Sequence, residues 1–413
     1  MTSKWEYSTL GDILTLQRGM DLPVQERKGG KHPIVASNGV VGFHDEAPVK
    51  APGVVIGRSG SIGGGQFIEQ DFWPLNTTLW VKDFKGNDSR FCYYLLKSID
   101  FSSMNAGSGV PTLNRNHLHP MRVAKPPVSV QKSISGILGS LDDRITLLRE
   151  TNVTLEAIAQ AMFKSWFMDF DPVRAKSEGK LPEGIDEATA ALFPDSFEQS
   201  KLGEIPKGWK ISNIGSELTT ILGGTPSRER PEFWNDGVVS WINSGKVNEF
   251  RITTASELIT EEALLKSATK LLPARTTVIA ITGATLGQVS IVEIEACTNQ
   301  SVVGLIQNEK FSTEYIYFWI NFNIKKLISS QTGGAQQHIN KGNVEDLHFL
   351  VPDIKILNKF KSISHPLFLK VAENCFQINT LGNIRDTLLP RLISGQLGLP
   401  DLDEINNKIK VKA

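Results

Sequence analysis

The sequence predicts an α+β protein built twice. Two similar, mixed, strand-rich domains should be joined by two long helices that pair antiparallel as a coiled coil, with internal pseudo-two-fold symmetry. Two observations carry this. The stretch Val55–Leu79 reappears as Val278–Val302, so that Ser59-Gly60 matches Thr282-Gly283 and Asn76 matches Asn299 at an offset of 223. Farther on, Leu113-Asn114-Arg115 matches Ile339-Asn340-Lys341, and Pro126 matches Pro352, at 226. A period this long makes each copy a domain rather than a stacking unit. Each copy is then followed by a heptad seam.

The seams are the cleanest periodic signal. Ile134, Leu138, Leu141, Ile145, Leu148, Asn152, Leu155, Ala159, Met162 and Trp166 follow one another in alternating steps of four and three. Adding 226 gives Phe360, Ser364, Leu367, Val371, Asn374, Ile378, Leu381, Arg385, Leu388 and Leu392, a seam with more polar interruptions. The two seams are natural partners; the alternative is two amphipathic helices, each packed on its own domain. An antiparallel pair would place the two domains at opposite ends of a stiff bar. Gly136, Gly139 and Pro366 predict a break in each helix. Ser140 would then cap the longer part, with Asp142 and Asp143 in its first turn. From there to Phe167 is about 28 residues, or roughly 42 Å. Asn152 and Asn374 either fix the register or mark where the seam opens to solvent or a partner.

Within each copy, short β-rich runs such as Gly53–Ile56 and Thr277–Ile281 alternate with Gly-rich turns. Helical interludes are expected near Phe91–Lys97 and Thr313–Ile328. The expected boundaries are 1–129 and 209–352 for the domains, 130–168 and 353–397 for the helices, 169–208 for a Pro- and acid-rich connector, and 398–413 for a tail. The connector should pack as irregular chain or short helix.

The 413 residues are 40% hydrophobic and 21% charged, the composition of a soluble globular protein. No apolar run reaches the length of a membrane span. The N-terminus has neither a secretory nor a transit pattern. Cys92, Cys297 and Cys375 show no metal or disulfide spacing, so a reducing cytoplasm is expected. Lys plus Arg and Asp plus Glu both number 44. That is not the global basic excess of a nucleic-acid binder. Residues 1–129 hold 14 basic and 11 acidic residues, and residues 209–352 hold 12 and 14. If the second copy binds DNA, its positive charge must be local or supplied by partners.

Three blocks outside the domains carry a family resemblance. They are Phe163-Lys164-Ser165-Trp166-Phe167-Met168-Asp169-Phe170-Asp171-Pro172-Val173-Arg174-Ala175-Lys176, then Ala188–Phe197 with Leu202–Trp209, and the C-terminal run Leu381–Leu397 containing Arg385-Asp386-Thr387-Leu388-Leu389-Pro390-Arg391-Leu392-Ile393. With the duplicated architecture, they resemble the specificity (S) subunit of type I restriction–modification systems. The resemblance implies two target-recognition domains, each reading one half of a bipartite, asymmetric site in double-stranded DNA. It implies a helical spacer that sets the gap between half-sites and docks two methyltransferase (M) subunits. S-adenosylmethionine would serve those M subunits for adenine N6 methylation. ATP and Mg would serve added motor-nuclease restriction (R) subunits. No cofactor is expected on this chain, nor any membrane contact.

Catalytic signatures fail together. The sequence has no Asn-Pro-Pro-Tyr or Asp-Pro-Pro-Tyr, no GxxxxGK[ST], no HExxH and no GxSxG. A non-catalytic reader is expected, against an enzyme in its own right or a bivalent protein-binding scaffold. Candidate DNA contacts recur in both copies. The turn Gly57–Gly65, with Arg58, Ser59 and Ser61, could cradle phosphate or be a tight hairpin needing positive φ; Thr282 and Thr285 lie on its counterpart. Arg58 suits a phosphate or a guanine edge, and its counterpart Ile281 is apolar. Asn76, Thr77 and Thr78 correspond to Asn299, Gln300 and Ser301; amides and hydroxyls suit adenine edges, but equally turns. A third cluster, suited to DNA contact or else a solvated loop, joins Asn105, Ser108, Thr112, Asn114, Arg115, Asn116 and His117, with Gln336, Gln337, His338 and Lys341 in the second copy. Arg18, Ser37 and Asn38, and Thr225, Ser227, Arg228, Asn243 and Ser244, are further candidates. Phe163, Phe167, Leu389 and Ile393, off the seam, would form a second apolar stripe that, with Trp166 of the seam, meets the M subunits.

Overall fold

The computed structural model describes residues 5–101, 104, 112–201, 203–329 and 339–398. The chain divides into two compact units, residues 1–146 with 379–413, and residues 147–378.

The first unit opens with β1 (Glu6–Thr9), α1 (Leu10–Ile13) and β2 (Thr15–Arg18), followed by β3 (His32–Ala36) and β4 (Gly39–His44). Then come β5 (Gly53–Gly57), β6 (Gly63–Ile68), β7 (Trp73–Pro74) and β8 (Thr78–Asp83). α2 (Ser89–Lys97), α3 (Arg115–Leu118), β9 (Arg122–Lys125) and the long α4 (Val128–Phe167) complete the first copy. Strands β2-β8-β5-β6 form an antiparallel sheet. A second sheet runs β4-β3-β7, with β7 parallel to β3. β1 pairs with β9, tying the two ends of the domain together. The apolar run of β5 is buried on both faces. Val54 and Ile56 pack with α2, whereas Val55 packs with Val35 and Phe72 of the other layer. Thr9 starts α1 with a capping box to Asp12.

The connector is more ordered than expected. α5 (Asp171–Ser177), α6 (Glu187–Leu192) and the hairpin β10 (Phe197–Ser200)–β11 (Gly203–Pro206) belong to the second unit. Val173, Phe193 and Ile205 enter the core that holds Phe163, Trp166, Phe167 and Phe360. The apolar residues spaced through this Pro-rich stretch therefore anchor it.

The second copy repeats the first. β12 (Lys210–Asn213), α7 (Ile214–Glu217), β13 (Thr219–Leu222), β14 (Val239–Ile242) and β15 (Glu257–Ile259) precede α8 (Glu261–Lys266) and β16 (Leu271–Leu272). β17 (Thr276–Ala280), β18 (Val289–Val292), β19 (Ala296–Thr298) and β20 (Val302–Ile306) follow, then α9 (Thr313–Ser329), α10 (Lys341–Glu345), β21 (His348–Val351) and α11 (Ile354–Ile393). The sheet β13-β20-β17-β18 matches β2-β8-β5-β6, and β12-β21 matches β1-β9. The parallel pair β14-β19 matches β3-β7. The added length lies between β13 and β17: 54 positions separate Leu222 from Thr276, against 35 from Arg18 to Gly53. α8 and β16 occupy it.

Register corrects the sequence alignment by one residue. Leu79 pairs with Arg18 and Ile56, and Val303 pairs with Leu222 and Ile279, so the offset is 224 from β7 through β8, before it reaches 226 at the Asn114 and Asn340 turns. Asn76 therefore corresponds to Gln300, and Asn299 to Leu75.

α4 and α11 are both 40 residues long and continuous. The expected breaks do not occur. The Ser140 hydroxyl donates to the Ile137 carbonyl instead of capping a helix. Asp142 and Asp143 pair with arginines rather than serving a first turn. Gly139 leaves room for the Arg90 guanidinium. Ser362 and Pro366 are both exposed, so the carbonyl that Pro366 leaves without a donor can meet water. All twenty seam positions are buried or half-buried. In the second unit Asn152 meets Asn374 and Phe163 meets Phe360, so the helices run antiparallel there. The two seam asparagines are buried, and Asn374 Nδ2 donates to Asn152 Oδ1 at 2.8 Å. The seam does not open at this point.

Candidate nucleic-acid interface

In the first copy the three recurrent turns are stitched together by backbone. The Arg58 and Ser59 N–H groups donate to the Thr77 carbonyl at 2.8 and 3.1 Å, and the Leu113 N–H donates to the Arg58 carbonyl at 2.8 Å. Ser59 also bridges to Thr112. These contacts, with the end of β2, frame an open cleft of about 1080 Å³. Arg18, Arg58, Lys82 and Arg115 line it, with Asp21 the one carboxylate among its lining residues. Thr112 and Asn114 line it too. Arg58 Nη1 donates to the Asn76 carbonyl at 3.2 Å, which aims the guanidinium, and the Asn76 amide donates to Asp21. Four cations around one concave face make a positive field suited to polyanion backbone. Lys82 and Asp21 were not singled out from the sequence. Lys82 follows the apolar run Leu79–Val81 of β8, the one local signal available.

Several candidates prove to build the fold. Gly60, Gly63, Gly64 and Gly65 all have φ between 70° and 155°, so the turn after β5 needs its glycines for conformation. Thr78 is fully buried and donates to the Leu75 carbonyl, and so is unavailable to a ligand. The Thr77 hydroxyl is buried as well. Asn114 caps α3 by accepting from the Asn116 N–H at 3.0 Å, leaving Arg115, Asn116 and His117 exposed. Ser61 is exposed on its turn. Ser37 lies beside Gly57, with exposed Asn38 next to it in the β3–β4 turn. Asn105 and Ser108 lie outside the described residues.

The second copy keeps the stitching and changes the side chains. The Ile281 N–H donates to the Ser301 carbonyl at 2.9 Å, and the Ile339 N–H to the Ile281 carbonyl at 3.1 Å. The Thr225 hydroxyl meets the Gln300 amide where Asp21 meets Asn76. Leu222, Ile281 and Ile306 stand where the first copy has Arg18, Arg58 and Lys82. Lys341 corresponds to Arg115 but lies 3.2 Å from Glu345. Asn340 forms a capping box with Asn343, so the shared Asn-then-cation motif is first of all a helix start. Asn299 accepts from the Ser301 N–H at 3.1 Å within its turn. Thr282 and Thr285 are half-exposed. Arg228 stacks 3.5 Å from the Trp234 ring centroid and is bidentate to Glu257, both bonds 2.7 Å. Ser227 accepts from the Glu229 N–H, Asn243 accepts from the Lys246 N–H, and Ser244 begins the same short turn. Gln336, Gln337 and His338 lie outside the described residues.

The expected exposed apolar stripe is not found. Phe163, Trp166 and Phe167 sit in the core of the second unit, and Leu389 and Ile393 in that of the first. Burial of these large side chains within the chain leaves no such stripe for a partner.

The sequence also gave no sign of three polar locks between domain and helix. In the first unit, Asp142 accepts from the Tyr94 hydroxyl at 2.7 Å and pairs with Arg385 at 2.6 Å. In the second unit, the buried Arg251 pairs with Glu156 of α4 at 2.9 Å and with Glu293 at 3.6 Å, and it stacks against Tyr317 and Phe368. Burial pushes the Glu293 carboxyl above its ordinary range, against the pull of Arg275 and Arg251, and pushes the Tyr317 phenol up to about 12. Arg275 and His365 both meet the buried Glu314. These groups are occupied with one another, as structural ion networks are. Among the described residues no cluster of three or more His, Cys, Asp or Glu could hold a metal ion. Nor, among the described residues, is any helix long and apolar enough to cross a membrane.

Comparison with known proteins agrees with this duplicated architecture. The family model described as "Type I restriction modification DNA specificity domain" matches residues 2–157 and again 206–368, once per copy. The MjaIX specificity subunit of Methanocaldococcus jannaschii is 27% identical over 341 residues, covering 80% of this chain and 74% of that protein. The HindI specificity subunit of Haemophilus influenzae is 29% identical over 328 residues, covering 70% and 71%. In fold, the chain is similar to the type I S subunit from M. genitalium, with a TM-score of 0.61 at 16% identity, covering 96% of this chain and 97% of that one. With the family model met twice, over more than half of its length, the chain belongs to the type I restriction–modification specificity subunits.

Proposed function

We propose that this specificity subunit is a non-catalytic reader of a bipartite, asymmetric DNA site, with one half-site addressed by each copy. The observation that carries this is the conserved stitching of three turns around different side chains. One scaffold with Arg18, Arg58 and Lys82 in one copy, and Leu222, Ile281 and Ile306 in the other, suits two half-sites of different sequence. In the first copy, Arg18, Arg58, Lys82 and Arg115 position the duplex through phosphates, and Arg58 also suits a guanine edge. The relatives are specificity subunits of type I restriction enzymes. We extend that assembly here to two M subunits and added R subunits in the cytoplasm. S-adenosylmethionine, ATP and Mg belong to those partners.

Modification-sensitive long-read sequencing of host DNA, with the gene present and deleted, tests the reading. Loss of one bipartite N6-methyladenine motif on deletion is the expected result. An unchanged methylation pattern, in a host whose M subunit is expressed and active, would refute it.

A further inference from the structure

The two copies differ in how many of their cations are already neutralised. Of the thirteen described Lys and Arg between residues 5 and 129, three (Lys28, Lys50 and Arg90) lie within 4.0 Å of a carboxylate. Of the twelve between 209 and 352, eight do. Among the described residues this leaves Lys210, Lys270, Lys325 and Lys326 without such a partner in the second copy. In the first copy, all four cations of the cleft are among the unneutralised ones. At the corresponding positions of the second copy, three are aliphatic and the fourth, Lys341, is bridged to Glu345.

A cation already paired with a carboxylate has little field left to offer a phosphate, and it releases few counterions on binding. We propose that the two copies hold DNA by different physics. The first grips its half-site through phosphate contacts. The second holds its own through uncharged contacts to base edges, made by groups such as the exposed Leu222 and Gln300. An aliphatic side chain can meet a thymine methyl, and an amide can read adenine. This chain's own share of the salt dependence then resides in the first copy. This rests on the DNA-reading role proposed above.

The test is the slope of log affinity against log salt, between about 50 and 200 mM. It uses the full chain assembled with its M subunits and a labelled duplex carrying the motif found by methylation mapping. Each lost phosphate contact lowers the slope by about 0.9. The double variant Arg58→Ala/Arg115→Ala should lower it by about 2. Lys325→Ala/Lys341→Ala should lower it by well under one unit, about half or less. Arg58→Lys/Arg115→Lys, which keeps charge, should retain the slope and so separates lost charge from lost folding. Equal reductions from the two alanine pairs would overturn the asymmetry while leaving the cleft a DNA contact. A first-copy alanine pair with unchanged slope and affinity would overturn the cleft assignment itself.

Discussion

Arg251 is the most demanding group in the second unit, and Arg251→Met tests what it does. Its side chain is wholly buried. It reaches Glu156 on α4 at 2.9 Å, Glu293 at 3.6 Å and the ring of Phe368 on α11 at 5.1 Å. Methionine fills much of the same space and makes apolar contact with the rings, so the substitution mainly deletes charge. Glu156 would keep its hydrogen bond from the Tyr317 hydroxyl at 2.9 Å. Glu293 Oε1 has no hydrogen-bond partner among the described residues, because 3.6 Å from Arg251 is an ion pair and not a hydrogen bond. Removing one member of a buried charge network costs about 3–5 kcal/mol. For a domain of this size that is about 10 °C in Tm.

The deficit should depend on pH in a defined direction. The Glu293 carboxyl, with an ordinary value of 4.5, is raised by burial in spite of Arg275 and Arg251. The folded state therefore binds that proton more tightly than the unfolded state does, and ionising Glu293 costs stability as pH rises above 4.5. Without Arg251 the carboxyl rises further, so the costly window extends upward. The difference between wild type and variant should be largest above that window and should narrow as pH falls through it. Urea unfolding of the full chain at a series of pH values, followed by circular dichroism, measures this. A loss under about 1 kcal/mol at pH 7, or a deficit that widens on acidification, would show that the network is not held together by charge.

Three other perturbations follow from the packing. Asn374→Leu leaves the buried Asn152 amide with only the weak Cys375 contact at 3.4 Å; it should cost about 1–3 kcal/mol in urea unfolding, and Asn152→Leu/Asn374→Leu should recover much of that. Gly139→Ala places a Cβ 2.8 Å from the Arg90 guanidinium, the far end of a flexible side chain. Displacing it weakens the Arg90–Asp143 pair while helix propensity improves by about 1 kcal/mol, so the net change should stay within about 1 kcal/mol; a much larger loss would mean Arg90 has nowhere else to go. Burial pushes the Cys92 thiol up to about 12 and the Cys375 thiol up to about 11, and raises Cys297 as well. At pH 8 a thiol-reactive dye should label the native chain slowly and the unfolded chain at all three positions.

The sequence could show what is local or repeated. The seams appeared because their spacing is short, and every seam residue is at least half-buried. The three turns appeared because both copies need them to stitch β5 to β8 and β17 to β20. The errors come from contacts distant in sequence. Arg90 and Asp143 lie 53 positions apart, so Gly139 looked like a helix breaker when it is a seat for a guanidinium. Phe163 and Phe167 looked spare because the aromatic residues that cover them, Tyr315, Phe318 and Phe360, come from the second domain and α11. A single inserted residue shifted Asn76 from Gln300 to Asn299, and only strand register could reveal it.

The places where the repeat fades have a logic of their own. Arg90 of α2 sits against Gly139 and pairs with Asp143 of α4; at the corresponding positions Glu314 of α9 meets His365 of α11. Tyr94 donates to Asp142, and its counterpart Phe318 packs against Phe368, with ring centroids 5.4 Å apart. Each domain thus meets its own helix at equivalent points with chemistry the other copy could not use. Arg90 placed opposite a histidine, or Tyr94 opposite a phenylalanine, would lose its charged or acceptor partner and leave a polar group unsatisfied. Two near-symmetric domains on two near-symmetric helices could otherwise dock in either pairing with similar energy. Divergence at these junctions removes that degeneracy, so the weak similarity there fits a fold that must tell its two halves apart.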